Sequence, residues 1–92
     1  MRLDLFLKTS RLVLRRNLAQ EFCDAGLVRV NGSLSKSSKE IKPEDVVEVR
    51  RPNRIMKVRV IRIPGTKQVS KASASELFEV LEDSQIENDP LN

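Results

Sequence analysis

The chain has 92 residues, 39% hydrophobic and 33% charged, enough for one domain with a modest core and too few for a second. With no histidine and one cysteine, it lacks the commonest general base and cannot build a zinc site or an internal disulfide, so an enzyme is a poor expectation. The net charge of +4 hides a division, because residues 1–72 hold all 17 Lys and Arg against seven acids while 73–92 hold six acids and no base. A basic body of this kind implies a polyanionic partner, against the blander reading that a basic pI only aids solubility.

The N-terminal stretch MRLDLFLKTSRLVLRR repeats Leu3, Phe6, Leu7, Ser10 and Leu14 at the spacing of one helix face, while Asp4, Lys8, Arg11 and Arg15 share another. One unbroken helix would leave Leu5 and Leu12 beside the charges, so a break near Thr9–Leu12 is expected, giving two short helices joined by a turn. The second helix runs from about Arg15 to Ala25 and stops at Gly26, which accepts the left-handed conformation without a Cβ clash. Cys23 falls on its apolar side as core filling.

Beyond Gly26 the period changes to two. Val28-Arg29-Val30 and Ser33-Leu34-Ser35 flank Asn31-Gly32, a strong hairpin signal. Val47–Arg50 and Lys57–Ile63 are further alternating runs, the latter slipping between Val60 and Ile61 as at a bulge or strand end. Pro64-Gly65 is expected to end the sheet, and residues 66–72 read as a linker. Ser73-x-x-Glu76 resembles a capping box, predicting a short helix that docks Leu77, Phe78, Val80 and Leu81, with a frayed acidic tail beyond Asp83. The expected architecture is α+β: two N-terminal helices in a helix-turn-helix-like arrangement on a small, mainly antiparallel sheet over 1–65, then linker, short helix and acidic tail over 66–92.

Arg2-Leu3-Asp4-x-x-Leu7, Ser10-Arg11, Arg16-x-x-Ala19, Gly26-x-Val28-x-Val30-Asn31-Gly32, Lys36 and Lys42-Pro43-x-Asp45-x-Val47 follow one another in the order of the S4 RNA-binding domain. The chain resembles that family from about residue 2 to 50. Its flush N-terminus, the pair Arg15-Arg16 and the lack of a long basic extension are similar to the short stand-alone members, relatives of the small ribosome-associated heat-shock protein. Two positions depart from the family pattern. Arg15 stands where a Ser or Thr often caps the second helix, a loss of about 1 kcal/mol. Pro43-Glu44-Asp45 replaces Pro-Gly-Asp, which is expected to change a type II turn to type I.

The resemblance implies a protein that sits on a blocked large ribosomal subunit still carrying peptidyl-tRNA, contacts 23S rRNA and the tRNA, and helps a NEMF-type quality-control factor add a C-terminal tail to the stalled chain. It further implies a cytoplasmic monomer with no cofactor, no metal and no membrane contact. The residue types supply the binding physics. Arginine forks pair bidentately with phosphate oxygens, and lysine acts as a point charge. Duplex RNA hides its base edges, so such a clamp reads shape and phosphate spacing. Phe6 and Phe22 lie on core faces, which argues against base stacking. Arg2, Arg11, Arg15 and Arg16 are therefore placed on phosphates with Lys8 flanking, and Lys36 and Lys39 approach from beyond the hairpin. Asp4 is expected to orient Arg11 or Lys8 or to accept from RNA, or else simply to favour the positive helix N-terminus. The strand cations from Arg50 to Arg62 read first as edge protection. The competing reading is a DNA regulator whose second helix reads bases through Asn17 and Gln20.

Overall fold

The computed structural model describes residues 1–65 and 69–85. Two helices, α1 (Leu3–Thr9) and α2 (Arg16–Asp24), pack on one face of a five-stranded antiparallel sheet. The strands are β1 (Val28–Val30), β2 (Ser33–Leu34), β3 (Val46–Arg51), β4 (Arg54–Val60) and β5 (Phe78–Gln85), and a four-residue helix, α3 (Lys71–Ala74), precedes the last. Their spatial order is β2-β1-β3-β4-β5.

Leu3, Phe6 and Leu7 from α1 meet Val28, Val47 and Val58 from the sheet in the buried core. The expected break falls where the charge pattern required it. Ser10 closes α1, and Arg11 takes φ +63°, turning the chain toward α2. Neither helix has a side-chain N-cap. At α1 the orphan N–H groups find other acceptors: Leu3 donates to the Lys39 carbonyl (2.7 Å), Asp4 to Ser37 (3.1 Å) and Leu5 to the Asp4 carboxylate (2.8 Å). This substitution for a cap pins the 37–39 loop against the start of α1.

At the end of α2, Gly26 N–H donates to Cys23 O (3.0 Å) and Leu27 N–H to Phe22 O (2.9 Å), the paired bonds of a Schellman motif. Gly26 has φ +74°, and a Cβ there would meet only ordinary contact with Leu34 at 3.8 Å, so the dihedral and not crowding selects glycine. The Asn31-Gly32 hairpin has φ +52° and +84°, as a type I′ turn requires.

Three local expectations are corrected. Glu44 has φ +77° and Asp45 N–H donates to Lys42 O (3.2 Å), so the turn keeps its type II form with glutamate in the left-handed position. The strand expected over Lys57–Ile63 is β4, which begins earlier, at Arg54, and ends at Val60, where the alternation slipped. Nor does Pro64-Gly65 end the sheet, because a fifth strand follows it in the chain. The helix is confined to Lys71–Ala74 with Ser70 as its cap, and the run from Phe78 to Gln85 is strand β5, paired with β4. The start of the expected linker (66–68) and the tail beyond Gln85 lie outside the described residues.

The outer face of the sheet carries an alternating row: Arg29 opposite Glu48, Glu48 opposite Lys57, Lys57 opposite Glu82. Opposite charges placed directly across strands each favour this register.

Candidate nucleic-acid interface

Asp4 is the centre of the site. Its side chain is fully buried and accepts from Arg2 Nη2 (3.2 Å), Arg16 Nε (3.3 Å) and Gln20 Nε2 (2.8 Å) on Oδ2, while Oδ1 accepts the Leu5 N–H. Helical spacing makes this possible, because Arg16 and Gln20 are four apart on α2 and present both groups to one point on α1. Burial pushes the Asp4 carboxyl up, but the Gln20 and Leu5 hydrogen bonds and the Arg16 charge outweigh it and hold the pKa below the ordinary aspartate value.

The two arginine side chains stay about 40% exposed (43% for Arg2, 39% for Arg16). Arg16 uses only Nε for the ion pair, so both of its Nη groups remain available as a fork for an external oxyanion. Two cations share one carboxylate, which leaves the cluster positive. Arg15 sits next to it in extended backbone, exposed, with no side-chain partner among the described residues.

Lys36 and Lys39 arrive through the loop that caps α1, so the same backbone bonds that start the helix carry both lysines to its positive end. With Val30, Asn31, Ser33, Leu34, Ser35 and Ser38 they line a shallow concavity of about 500 Å³. Lys8 lies one helical turn beyond Asp4 on α1 and is half-buried. Arg11 leaves this group. Its Nη2 reaches toward the Val69 carbonyl (3.5 Å) and borders a second groove of about 380 Å³ with Leu14, Arg51 and Phe78.

Asp4 therefore holds neither Arg11 nor Lys8, its nearest bases on the α1 wheel. Two of its partners, Arg16 and Gln20, come from α2 across a tertiary contact and a third, Arg2, from the residue before α1, and with both oxygens occupied in a buried position it supports the guanidiniums from beneath. Gln20 is the member that the sequence reading placed elsewhere, as a base reader. Its four-residue spacing from Arg16 is the signal that could have placed it here.

The strand cations have different surroundings. Arg54 grips Asp83 bidentately (2.7 and 2.6 Å), Arg59 pairs with Glu79 and lies 3.5 Å from Glu44, and Arg62 meets Glu76 at 3.0 Å. Arg51 donates to the Leu12 carbonyl and stacks 5.8 Å from the Phe22 ring centroid. Among the described residues, no group of three or more acids or thiols could hold a metal, and no helix is long and apolar enough to cross a membrane.

Comparison with known proteins gives concordant matches. The S4 domain family profile matches residues 1–47. The RQC P-site tRNA stabilizing factor of Streptococcus pneumoniae is 38% identical over 95% of this chain and 97% of its own length. That of Bacillus subtilis is 37% identical over 94% and 98%. Among solved structures, the trimeric Heat Shock Protein 15 of Vibrio cholerae superposes with a TM-score of 0.79 over 87% of this chain and 80% of that one, at 24% identity, a likeness of fold.

Proposed function

The chain belongs to the S4 domain family and, within it, to the family of the RQC P-site tRNA stabilizing factors, and from that premise we propose that it is a non-catalytic RNA-binding protein of ribosome quality control. It works in the cytoplasm on large ribosomal subunits that still carry peptidyl-tRNA. There it clamps phosphates of 23S rRNA and of the tRNA, and as a monomer it supports a NEMF-type partner in tailing the stalled chain. Arg2, Arg15, Arg16, Lys36 and Lys39 form the clamp, Lys8 and Arg11 extend it, and Asp4 and Gln20 are positioning residues.

One observation carries this reading: Asp4 fixes Arg16 through Nε, with no Nη group used in the ion pair, and the same carboxylate oxygen holds Arg2. A guanidinium held from behind loses less conformational freedom when it meets a phosphate, which favours tight, shape-selective binding. The relatives' name, which specifies a tRNA in the P site, supports the choice of ligand. The DNA-regulator reading needs Gln20 to read bases, and Gln20 is occupied at 2.8 Å by Asp4.

The test compares structured RNA with duplex DNA of equal length at physiological salt, alongside sedimentation with large subunits bearing peptidyl-tRNA. RNA is expected to bind more tightly, with affinity falling steeply as salt releases counterions, and the protein should travel with the obstructed subunits. Equal or better binding to DNA, or absence from those subunits, overturns the proposal.

A further inference from the structure

We propose that Glu76, Glu79 and Asp83 determine where RNA can bind, acting as fixed counterions that silence Arg62, Arg59 and Arg54 and confine the footprint to the α1–α2 face. The inference rests on the RNA-binding reading above and adds a specificity determinant to it.

The cations of the chain fall into two groups with opposite surroundings. On the α1–α2 side, Arg2, Lys8, Arg15, Arg16, Lys36 and Lys39 share a single ion-paired carboxylate, Asp4, among the described residues, while Arg11 lies between the groups in the groove that it lines with Arg51 and Arg54. On the β4 side, each of three arginines has its own: Arg54 with Asp83 (2.6 Å), Arg62 with Glu76 (3.0 Å) and Arg59 with Glu79. All three acids lie within or just before β5, the edge strand that the sheet adds beyond β4. Register makes the match, because Glu79 lies directly opposite Arg59, and Asp83, opposite Met56, reaches diagonally to Arg54.

Exposed pairs of this kind contribute little to folding. Their consequence is in the surface potential. Without the acids, Arg54 and Arg62 would have no ion-pair partner among the described residues and Arg59 would keep only Glu44 at 3.5 Å, offering phosphates a second set of cations with no support comparable to Asp4. With them, an RNA phosphate approaching β4 must displace a carboxylate already seated on each guanidinium and gains no net counterion release. The surface left to RNA is the one whose arginines are held from beneath.

The experiment titrates poly(U) into the full chain and into a Glu76→Gln/Glu79→Gln/Asp83→Asn variant, following backbone amide NMR shifts and the salt dependence of binding. In the wild type, shifts are expected in α1, α2 and the 36–39 loop, with β4 silent. The variant is expected to add shifts over residues 54–62, to bind poly(U) about tenfold more tightly, and to steepen the log–log salt slope by about 2, near 0.7 for each freed cation on a single strand. A Glu21→Gln/Asp24→Asn/Glu40→Gln variant of equal net charge should leave β4 silent. Should the triple variant misfold, Asp83→Asn alone, which leaves Arg54 without an ion-pair partner among the described residues, is expected to steepen the slope by about 0.7. Wild-type shifts in β4, or a folded variant with a silent β4 and an unchanged slope, overturn the proposal. Failure of Arg16→Glu to weaken RNA binding would instead strike the RNA reading itself.

Discussion

Arg16 Nε lies 3.3 Å from Oδ2 of Asp4, so a cation on α2 is oriented by a fully buried anion on α1. Asp4→Asn separates positioning from charge. It adds one net positive charge, and counterion release alone predicts tighter RNA binding. Positioning predicts the reverse, because the amide turns a donor toward the donors of Arg2, Arg16 and Gln20. Weaker binding by about tenfold, equivalent to roughly 1.4 kcal/mol, is expected, with stability lower by about 1–3 kcal/mol in denaturant unfolding. Tighter binding in a folded Asn variant would remove Asp4 from the positioning role.

Acid stability follows from the same carboxylate. Its folded pKa lies below the ordinary aspartate value of 3.8, so its native contacts contribute fully above that value. As pH falls through the lower folded value the carboxylate gains its proton and the contribution is lost. Stability is therefore expected to decline below about pH 4, and Asp4→Asn should flatten that decline. Parallel wild-type and variant curves between pH 2 and 6, about the range over which carboxylates titrate, would contradict this.

Cys23 is governed by burial, which pushes its thiol up to about 11, with the Asp4 and Asp24 charges adding to the effect. The native thiol is expected to stay protonated and to react with a disulfide reagent at neutral pH only through unfolding, so labelling should accelerate in denaturant in step with the unfolded fraction. Immediate labelling of the folded protein would show the site to be open.

Glu44 holds φ +77° in a turn position that suits glycine. A left-handed non-glycine residue costs about 1–2 kcal/mol, part of which glycine returns through the greater freedom of its unfolded chain. Glu44→Gly is expected to gain about 0.5 kcal/mol net, while Glu44→Ala, which keeps the Cβ, should gain nothing. The distant Arg59 pair at 3.5 Å is too exposed to offset the gain. A thermal melt of the three proteins decides it.

What the sequence made legible was local. The break near Thr9, the glycine stop at Gly26 and the Asn31-Gly32 hairpin each follow from spacing or a dihedral preference contained within a few residues. The type II turn at Glu44 was misread because propensity favoured the unstrained alternative, while the surrounding sheet, through the Glu44 N–H donating to Val60 O at 2.8 Å, imposed the strained one. Leu77, Val80 and Leu81 keep a helical spacing and no alternation, so only the pairing of Phe78–Gln85 with β4 makes that run a strand. The shift in that pairing between Lys57 and Val58 further blurs the alternation. Asp4 illustrates the same limit at the site: its neighbours on the helical wheel were visible, whereas Arg16 and Gln20 became its partners only when α2 folded against α1.

Arg15 and Arg16 are adjacent in sequence and differ in attachment, which lets two charge reversals separate binding from folding. Arg16→Glu brings a second carboxylate beside buried Asp4, so it should lower the melting temperature as well as abolish association with large subunits. Arg15→Glu breaks no ion pair. Placed at the N-cap of α2, its carboxylate faces the positive end of the helix and should leave stability unchanged or raise it by about 0.3–1 kcal/mol. Its effect on RNA should nonetheless be large, with association weakened and the salt slope reduced by about 1, as expected when one phosphate contact is lost. A more stable protein that binds less well is an outcome that misfolding cannot imitate. If Arg15→Glu sediments with obstructed subunits as the wild type does, the phosphate clamp does not extend to the start of α2, and the footprint must be redrawn around Arg2, Arg16 and the 36–39 loop.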